Sequence, residues 1–161
     1  MAFRIFFAAL LIGISEACMC EPGHPQKTIS YFACKAPIVI RAVVYNRTDG
    51  TPKFDPVMNF SIPMTDYHFR IVNVFKNATN VPLPNYLTTV WTDISCGTGF
   101  GLGGDYIIFA EPSKLLPGKI ESHYCSGNRA WSRVSETAAQ DLYSADWVKN
   151  CTQRNTAGFA F

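Results

Sequence analysis

Two cysteines separated by a single residue, Cys18 and Cys20, are the residues best placed to do chemistry in this chain. They follow a hydrophobic leader that ends in Ser15-Glu16-Ala17. If a secretory peptidase cuts after Ala17, Cys18 becomes the first residue of the mature protein. Its free α-amine and its carbonyl oxygen are then both available to a metal ion, while disulfides can hold this end of the chain rigid.

The leader has the parts of a secretory signal peptide. Arg4 supplies a basic start, Ile5 to Ile14 form an almost unbroken apolar run, and Ser15 and Ala17 are the small residues that cleavage requires. The run is shorter than the roughly 20 apolar residues that span a bilayer, and no later stretch predicts a transmembrane segment. We therefore predict a signal peptide over residues 1–17 and a secreted, extracellular protein.

The predicted mature chain, residues 18–161, has the length of one domain with its own hydrophobic core. Its net charge stays at +2, because the leader contributes one basic residue and one acidic residue. A charge this small, with no basic cluster in the sequence, gives no argument for a nucleic-acid partner.

All six cysteines belong to the predicted mature chain, and an even number in an exported protein predicts three disulfides. Cys18 and Cys20 are not expected to pair with each other, because so small a ring is strained. Spacing alone does not choose among the other pairings. A structural zinc site is the rival interpretation, but no CxxC pattern is present and His24, His68 and His123 are scattered.

Four Asn-x-Ser/Thr sequons agree with export, because such sites receive glycans in the secretory pathway. The candidate N-glycosylation sites are Asn46, Asn59, Asn77 and Asn150.

The residue pattern predicts strands first and a helix last. Strands are predicted at residues 37–45, 66–76, 86–93, 104–111 and 119–125, from β-branched residues and alternation. Residues 46–65 contain three prolines and are predicted to form a long exposed connection. A helix is predicted over residues 135–149, with Ser135 as its N-cap.

Five short strands followed by a helix favour a small β-barrel. Within the second strand, Tyr67, Phe69 and Ile71 are predicted to share one face. The glycine-rich residues 97–104 predict a hairpin loop rather than a phosphate-binding loop, because no Lys-Ser/Thr follows. The sequence has no HExxH or Gly-x-Ser-x-Gly motif and no convincing acid pair, so we do not predict an enzyme.

Residues 18–26 and several later segments resemble a known family, the tissue inhibitors of metalloproteinases. The mature proteins of that family begin with Cys-x-Cys, prolines and His-Pro-Gln, as residues 18–26 do here. The resemblance covers residues 18 to about 151. Its further segments are Ile38–Ala42, Ile94–Gly97, Tyr106–Ala110, Trp131-Ser132 and the predicted helix that leads to Cys151.

The resemblance implies a mainly β fold, a five-stranded OB-fold-like Greek-key barrel called the netrin-like module, with a flanking C-terminal helix. It also implies three disulfides, Cys18–Cys96, Cys20–Cys125 and Cys34–Cys151. In the chain-entropy description, bridges that close such long loops each contribute about 4–5 kcal/mol.

The implied function is inhibition of zinc metalloproteases of the matrix metalloprotease kind. The α-amine and carbonyl oxygen of Cys18 would replace the water on the catalytic zinc of the protease, so the inhibitor needs no cofactor of its own. Met19 would enter the specificity pocket, where the family usually has Thr or Ser. The other expected contacts are Cys20, Glu21, Pro22, Ile94, Ser95 and Cys96. A monomer is expected to form a 1:1 complex with an extracellular protease.

The chain ends ten residues after Cys151, so the family's second six-cysteine domain is expected to be absent. The alternative function is a netrin-like module that binds another extracellular ligand and inhibits nothing. Such modules often carry a basic C-terminal tail, whereas residues 152–161 contain Arg154 as their one basic residue.

Overall fold

The computed structural model describes residues 20, 27–56, 59–79, 82–90, 96–114, 116–145, 147–148 and 151. Within these ranges the chain forms helices and strands that are listed here in chain order. They are α1 Ile29–Lys35, β1 Ile38–Asp55, β2 Phe60–Asn77, β3 Tyr86–Val90, β4 Asp105–Pro112, β5 Ile120–Glu121, β6 Arg129–Ala130 and α2 Glu136–Ser144.

Five of the strands close into a ring in the order β1-β2-β3-β5-β4, because β1 pairs with both β2 and β4. The pairs are antiparallel except for β3 with β5, which is parallel. The short β6 pairs with β4 outside the ring. The predicted mainly β, five-stranded barrel with a C-terminal helix is therefore confirmed.

The barrel interior is filled by alternate residues of the strands, as a pleated sheet requires. On β1 these are Ile38, Ile40, Ala42 and Val44, all fully buried. Tyr67 and Phe69 on β2 are also buried in this core, and Ile71 packs against it. The predicted inward face of the second strand is therefore confirmed.

A second apolar cluster lies between the outside of the barrel and the two helices. Val39 of β1 and Ile107 and Phe109 of β4 pack there against Phe32 of α1 and Leu142 of α2. The residue pattern did not predict α1, because a helix of seven residues is too short to display a helical period. Its start is marked by Thr28, whose Oγ1 accepts a hydrogen bond from Tyr31 N at 3.2 Å.

Lys76 of β2 fastens α1 to the barrel. Its Nζ donates hydrogen bonds to the carbonyl oxygens of Ala33 and Cys34, at 3.1 and 3.2 Å. A cation at the C-terminal end of a helix also interacts favourably with the helix dipole. Burial lowers the pKa of Lys76, but the two carbonyl groups replace part of its lost hydration.

Arg41 of β1 fastens α2 in a similar way. Its guanidinium hydrogen bonds to both carboxylate oxygens of Asp105 and to the hydroxyl of Tyr143, and it lies 4.3 Å from the ring centroid of Trp131. The hydrogen bond to Asp105 raises the pKa of Arg41. The planar guanidinium thus joins β1, β4 and α2.

Residues 46–65 are mostly exposed, as predicted, but the prediction that they form a connection is wrong. β1 continues to Asp55 and β2 begins at Phe60, and the two strands pair as an extended hairpin from Thr48↔Asp66 to Asp55↔Phe60. Pro52, which has no N–H to donate, lies at a shift in register between Gly50 and Lys53. An antiparallel pair can therefore accommodate prolines that had indicated a loop.

The prediction of a hairpin loop at residues 97–104 is also wrong. β5 lies between β3 and β4 in the sheet, so this segment does not connect two paired strands and is not a hairpin loop. Gly103 N donates to Val44 O at 2.7 Å, and Val44 N donates to Gly104 O at 3.0 Å. The segment therefore leads β4 to its place beside β1.

The fifth strand and the helix are shorter than predicted. β5 has two residues, and the chain then turns as a 3₁₀ helix at Tyr124–Ser126. Ser135 is the N-cap of α2, as predicted, because its Oγ accepts a hydrogen bond from Ala138 N at 3.2 Å. α2 ends at Ala145, which adopts a left-handed conformation with φ 57°.

Gly127 provides a test of the packing between the 3₁₀ turn and α1. It has φ +87°, and a Cβ placed there would overlap the ring of Phe32. Gly127→Ala should therefore lower the free energy of unfolding by about 2–4 kcal/mol in urea titrations. The matched control is Gly118→Ala, because Gly118 has φ +79° with open space around it and should lose only about 1–2 kcal/mol. Equal losses in the two variants would contradict the packing described here.

Candidate functional site

Most of the residues predicted to contact a protease lie outside the described residues. These are Cys18, Met19, Glu21, Pro22, Ile94 and Ser95. Cys20 and Cys96 are described, and both are half-buried. The site must therefore be built from these two cysteines and from the residues that hold them.

Two of the three predicted disulfides are confirmed. Cys20 is bonded to Cys125 with 5.4 Å between their Cα atoms, and Cys34 is bonded to Cys151 with a Cα separation of 5.3 Å. Cys96 is also disulfide-bonded. Its predicted partner Cys18 lies outside the described residues, so the Cys18–Cys96 bridge stays a prediction.

The backbone places Cys96 beside the 3₁₀ turn that carries Cys125. Tyr124 N donates a hydrogen bond to Cys96 O at 2.8 Å, and the next residue along the chain is the disulfide partner of Cys20. Cys20, Cys96 and Cys125 therefore share one edge of the barrel, which we call the cysteine edge. The disulfide to Cys125 anchors Cys20 at this edge.

The turn at Tyr124–Ser126 is held by its own side chains. His123 precedes it as N-cap, with Nδ1 accepting from Cys125 N at 3.2 Å, and Ser126 Oγ accepts from His123 N at 3.1 Å. This reciprocal pair is a capping box. The sequence predicted His123 to be a strand residue, whereas the structure gives it the role of fixing the position of Cys125.

A network of polar side chains supports the cysteine edge from inside the fold. Asn128 Nδ2 donates to Ser122 Oγ at 2.7 Å, and Asn128 Oδ1 accepts from Phe109 N at 2.8 Å. Ser122 Oγ in turn donates to Phe109 O at 2.7 Å. Ser122 is 4% exposed, so its hydroxyl depends on these partners for its hydrogen bonds.

Two threonines of β3 hold the segment after Cys96 and the residue before the capped 3₁₀ turn. Thr89 Oγ1 accepts from Thr98 N at 3.0 Å, and Thr88 O accepts from Ser122 N at 3.3 Å. Thr88 and Thr89 are almost completely buried. The chain on both sides of the cysteine edge is therefore tied to β3 by hydrogen bonds.

Sequence reasoning missed the residues that hold the edge, namely Thr88, Thr89, Thr98, Ser122, His123, Ser126 and Asn128. One signal was present, because His123 and Ser126 have the three-residue spacing of a capping box. The contacts of Asn128 gave no signal, because they join β4 to the loop after the turn and depend on the tertiary fold.

A comparison with protein families identifies the chain. A family profile described as tissue inhibitor of metalloproteinase matches residues 16–158. The chain belongs to this family. The match includes all six cysteines and the whole of the cysteine edge, so the family resemblance predicted from the sequence is confirmed.

Individual relatives in the family are distant in sequence. Metalloproteinase inhibitor 4 of Rattus norvegicus is 24% identical over 148 residues, which are 92% of this chain and 63% of that protein. Metalloproteinase inhibitor 2 of Bos taurus is 26% identical, covering 88% of this chain and 61% of the relative. The chain therefore spans about three-fifths of the length of these relatives. In the part of the chain that the structure describes, no helix combines the length and the apolar character needed to cross a membrane.

Asn128 provides a test of the support behind the cysteine edge. Asn128→Ala removes the acceptor of Phe109 N and the donor to Ser122, and should lower the free energy of unfolding by about 2–3 kcal/mol. It should also speed amide hydrogen exchange in residues 122–126, since the turn loses its inner support. Asn85→Ala is the control, because Asn85 is exposed and should change neither quantity. Unchanged exchange in the Asn128 variant would contradict the supporting role.

Proposed function

We propose that this chain is a secreted inhibitor of zinc metalloproteases, in which Cys18 is the first residue after cleavage at Ala17. The observation that carries the proposal is the cysteine edge. Cys20 is covalently bonded to Cys125, and the adjacent Tyr124 is hydrogen bonded to Cys96. Family membership supports the same function, because relatives in this family are named as metalloproteinase inhibitors.

The inhibitory chemistry belongs to backbone atoms of Cys18. The catalytic zinc of a metalloprotease keeps one position for water, and the α-amine and carbonyl oxygen of Cys18 would take the place of that water. The amine must be unprotonated to bind the metal. A free α-amino group has a pKa of about 7.7–8, and a nearby divalent cation favours its deprotonation, so binding at neutral pH is feasible.

A disulfide on each side would give residues 18–20 a fixed shape before they meet the protease. A flexible N-terminus would lose conformational entropy on entering a cleft, and that loss would weaken binding. The bond from Cys20 to the capped turn limits the loss from one side. The proposed bond from Cys18 to Cys96 limits it from the other side and keeps the Cys18 sulfur away from the zinc. One such edge on each chain fits a 1:1 complex of a monomeric inhibitor with its protease.

A version of the protein with one extra alanine before Cys18 tests the chelation directly. The extension converts the α-amine into an amide and should weaken inhibition by at least about 100-fold, which corresponds to about 2.8 kcal/mol. Inhibition constants against a zinc metalloprotease measure the effect, with N-terminal sequencing to verify the first residue.

The control is the same protein carrying a removable leader whose cleavage restores Cys18 as the first residue. Equal inhibition by the extended and restored proteins would refute chelation by the amine. If neither protein inhibits any zinc metalloprotease, although both fold with three disulfides, the non-inhibitory netrin-like module is the correct alternative.

Met19 is proposed to select the protease by filling its specificity pocket. A methionine side chain is long, flexible and apolar, so it suits a deep hydrophobic pocket. Met19→Gly should weaken inhibition of deep-pocket proteases by about 10–100-fold, the value of burying such a side chain. It should leave shallow-pocket proteases unaffected. Met19→Leu is the matched control and should keep most of the affinity. An equal effect of Met19→Gly on both kinds of protease would rule out this role.

A further inference from the structure

Three aromatic rings form a row on the outside of the barrel. They are Tyr45, His68 and Tyr86, one from each of β1, β2 and β3, and we call them the aromatic row. The ring centroids are 6.4 Å apart between Tyr45 and His68, and 5.8 Å apart between His68 and Tyr86. Tyr45 is 55% exposed, and the other two rings are half-buried. Part of the row is therefore accessible to a ligand.

The strand register brings a sequon to the same surface. Asn46 pairs with His68, and a register shift between Val44 and Asn46 leaves Tyr45 as the extra residue of a β-bulge. The two residues of a bulge oppose one residue on the partner strand. Directly opposed residues in an antiparallel pair project to the same face. Asn46 therefore lies on the face that carries the aromatic row.

The third residue of this sequon also contacts the row. Thr48 Oγ1 lies 3.0 Å from Nε2 of His68, within hydrogen-bonding distance. Asn46, Thr48 and Tyr45 are all exposed. The folded sheet thus has room for a substituent on Asn46 and presents aromatic surface beside it.

We propose that Asn46 carries an N-linked glycan whose first N-acetylglucosamine packs on the aromatic row. One face of a pyranose ring carries mainly C–H groups, which are apolar and slightly positive. The face of an aromatic ring is negative, so the two surfaces attract each other while both lose contact with water. The proposal rests on the secretion part of the proposed function and does not depend on protease inhibition.

The far end of the row is occupied by an ion pair. Lys119 Nζ lies 5.2 Å from the ring centroid of Tyr86 and 2.9 Å from Asp66 Oδ2, and both side chains are largely buried. The exposed end of the row is therefore at Tyr45, next to Asn46 along the chain.

The modification itself uses a lipid-linked oligosaccharide diphosphate as donor and takes place on the nascent chain. The side-chain amide nitrogen of Asn46 bonds to C1 of the sugar and gives up a proton. The bond between C1 and the diphosphate oxygen breaks, and the diphosphate leaves with the electron pair. Folding then pairs Asn46 with His68 and brings the attached sugar onto the row.

The other described sequons have different surroundings. Asn77 lies at the end of β2, where it pairs with Ile38. Asn59 lies in the turn between β1 and β2 with φ 53°. Neither asparagine is paired with a residue of the aromatic row. Asn77 therefore serves as a control, because a glycan there would not be expected to stack on the row.

The experiment uses the full chain secreted from a glycosylating mammalian cell line. Glycopeptide mass analysis should find a glycan on Asn46. The protein is then trimmed with an endoglycosidase that leaves one N-acetylglucosamine on the asparagine. Because this first sugar makes the stacking contact, the Tm of the trimmed protein should be about 2–4 °C above the Tm of N46Q. N77Q should not reproduce this loss of thermal stability.

Variants of the row separate stacking from a general effect of the glycan. In a Tyr45→Ala background, the difference in Tm between the trimmed protein and its N46Q counterpart should shrink to less than half. Phe54→Ala is the matched control, because Phe54 is 56% exposed on the same strand but lies near the hairpin turn. It should leave the difference intact. Ring-current upfield shifts of the N-acetyl methyl signal in the trimmed wild-type protein provide a second readout that requires no variant to fold.

Several outcomes would overturn the proposal. A glycan on Asn77 but none on Asn46 would do so and would leave secretion intact. An uncut leader with no glycan on any sequon would overturn both the proposal and the secretion it rests on. An unchanged Tm difference in Tyr45→Ala, with no ring-current shift, would show a glycan without stacking. The proposal would also fail if free oligosaccharide bound to N46Q while the glycan attached to the wild-type protein left the Tm unchanged. The aromatic row would then be a site for a different saccharide.

Discussion

The structure depends on the pairing of β1 with two other strands at once. Residues 38–43 of β1 hydrogen bond to β2 on one edge and to β4 on the other, which closes the barrel. The same strand serves both hydrophobic cores, because Ile40 lies inside the barrel and Val39 packs beneath the helices. Both edges of this segment are paired, and within residues 38–43 only Arg41 and Val43 are partly exposed.

The position of the cysteine edge follows from this closure. β4 lies beside β1 in the closed barrel. Asn128 hydrogen bonds to the backbone of Phe109 on β4 and to the hydroxyl of Ser122, which precedes the 3₁₀ turn. The cysteine edge is thus connected to the barrel through backbone hydrogen bonds and small polar side chains. A hydrogen bond is directional, so this connection fixes orientation more strictly than apolar packing does.

The sequence predicted the features that arise from local pattern or from family resemblance. The inward face at Tyr67 and Phe69 follows from alternation, and the N-cap at Ser135 follows from helix-end chemistry. The two observed disulfides came from the resemblance, because spacing alone leaves the pairing open. Within the described residues, this accounts for the barrel, its core and the anchoring of Cys20.

The failures share one physical cause, which is that long-range pairing overrides local propensity. Pro52 and Pro63 indicated a loop, but they lie within β1 and β2, which pair as an extended hairpin. The glycines of residues 97–104 indicated a hairpin, but β4 pairs with β1 and is separated from β3 by β5. The role of Asn128 could not be predicted, because its partners come together only when the barrel has closed.

The order of the observed disulfides along the chain has a consequence for the effect of proteolytic cleavage. The Cys20–Cys125 and Cys34–Cys151 loops overlap, since each begins or ends inside the other. A single peptide-bond cut anywhere between Cys20 and Cys151 therefore leaves the two pieces covalently joined by at least one bridge, and a cut between Cys34 and Cys125 leaves them joined by both. A nick by a protease cannot release a fragment from this region, so a severed chain still keeps its halves together and can hold its shape.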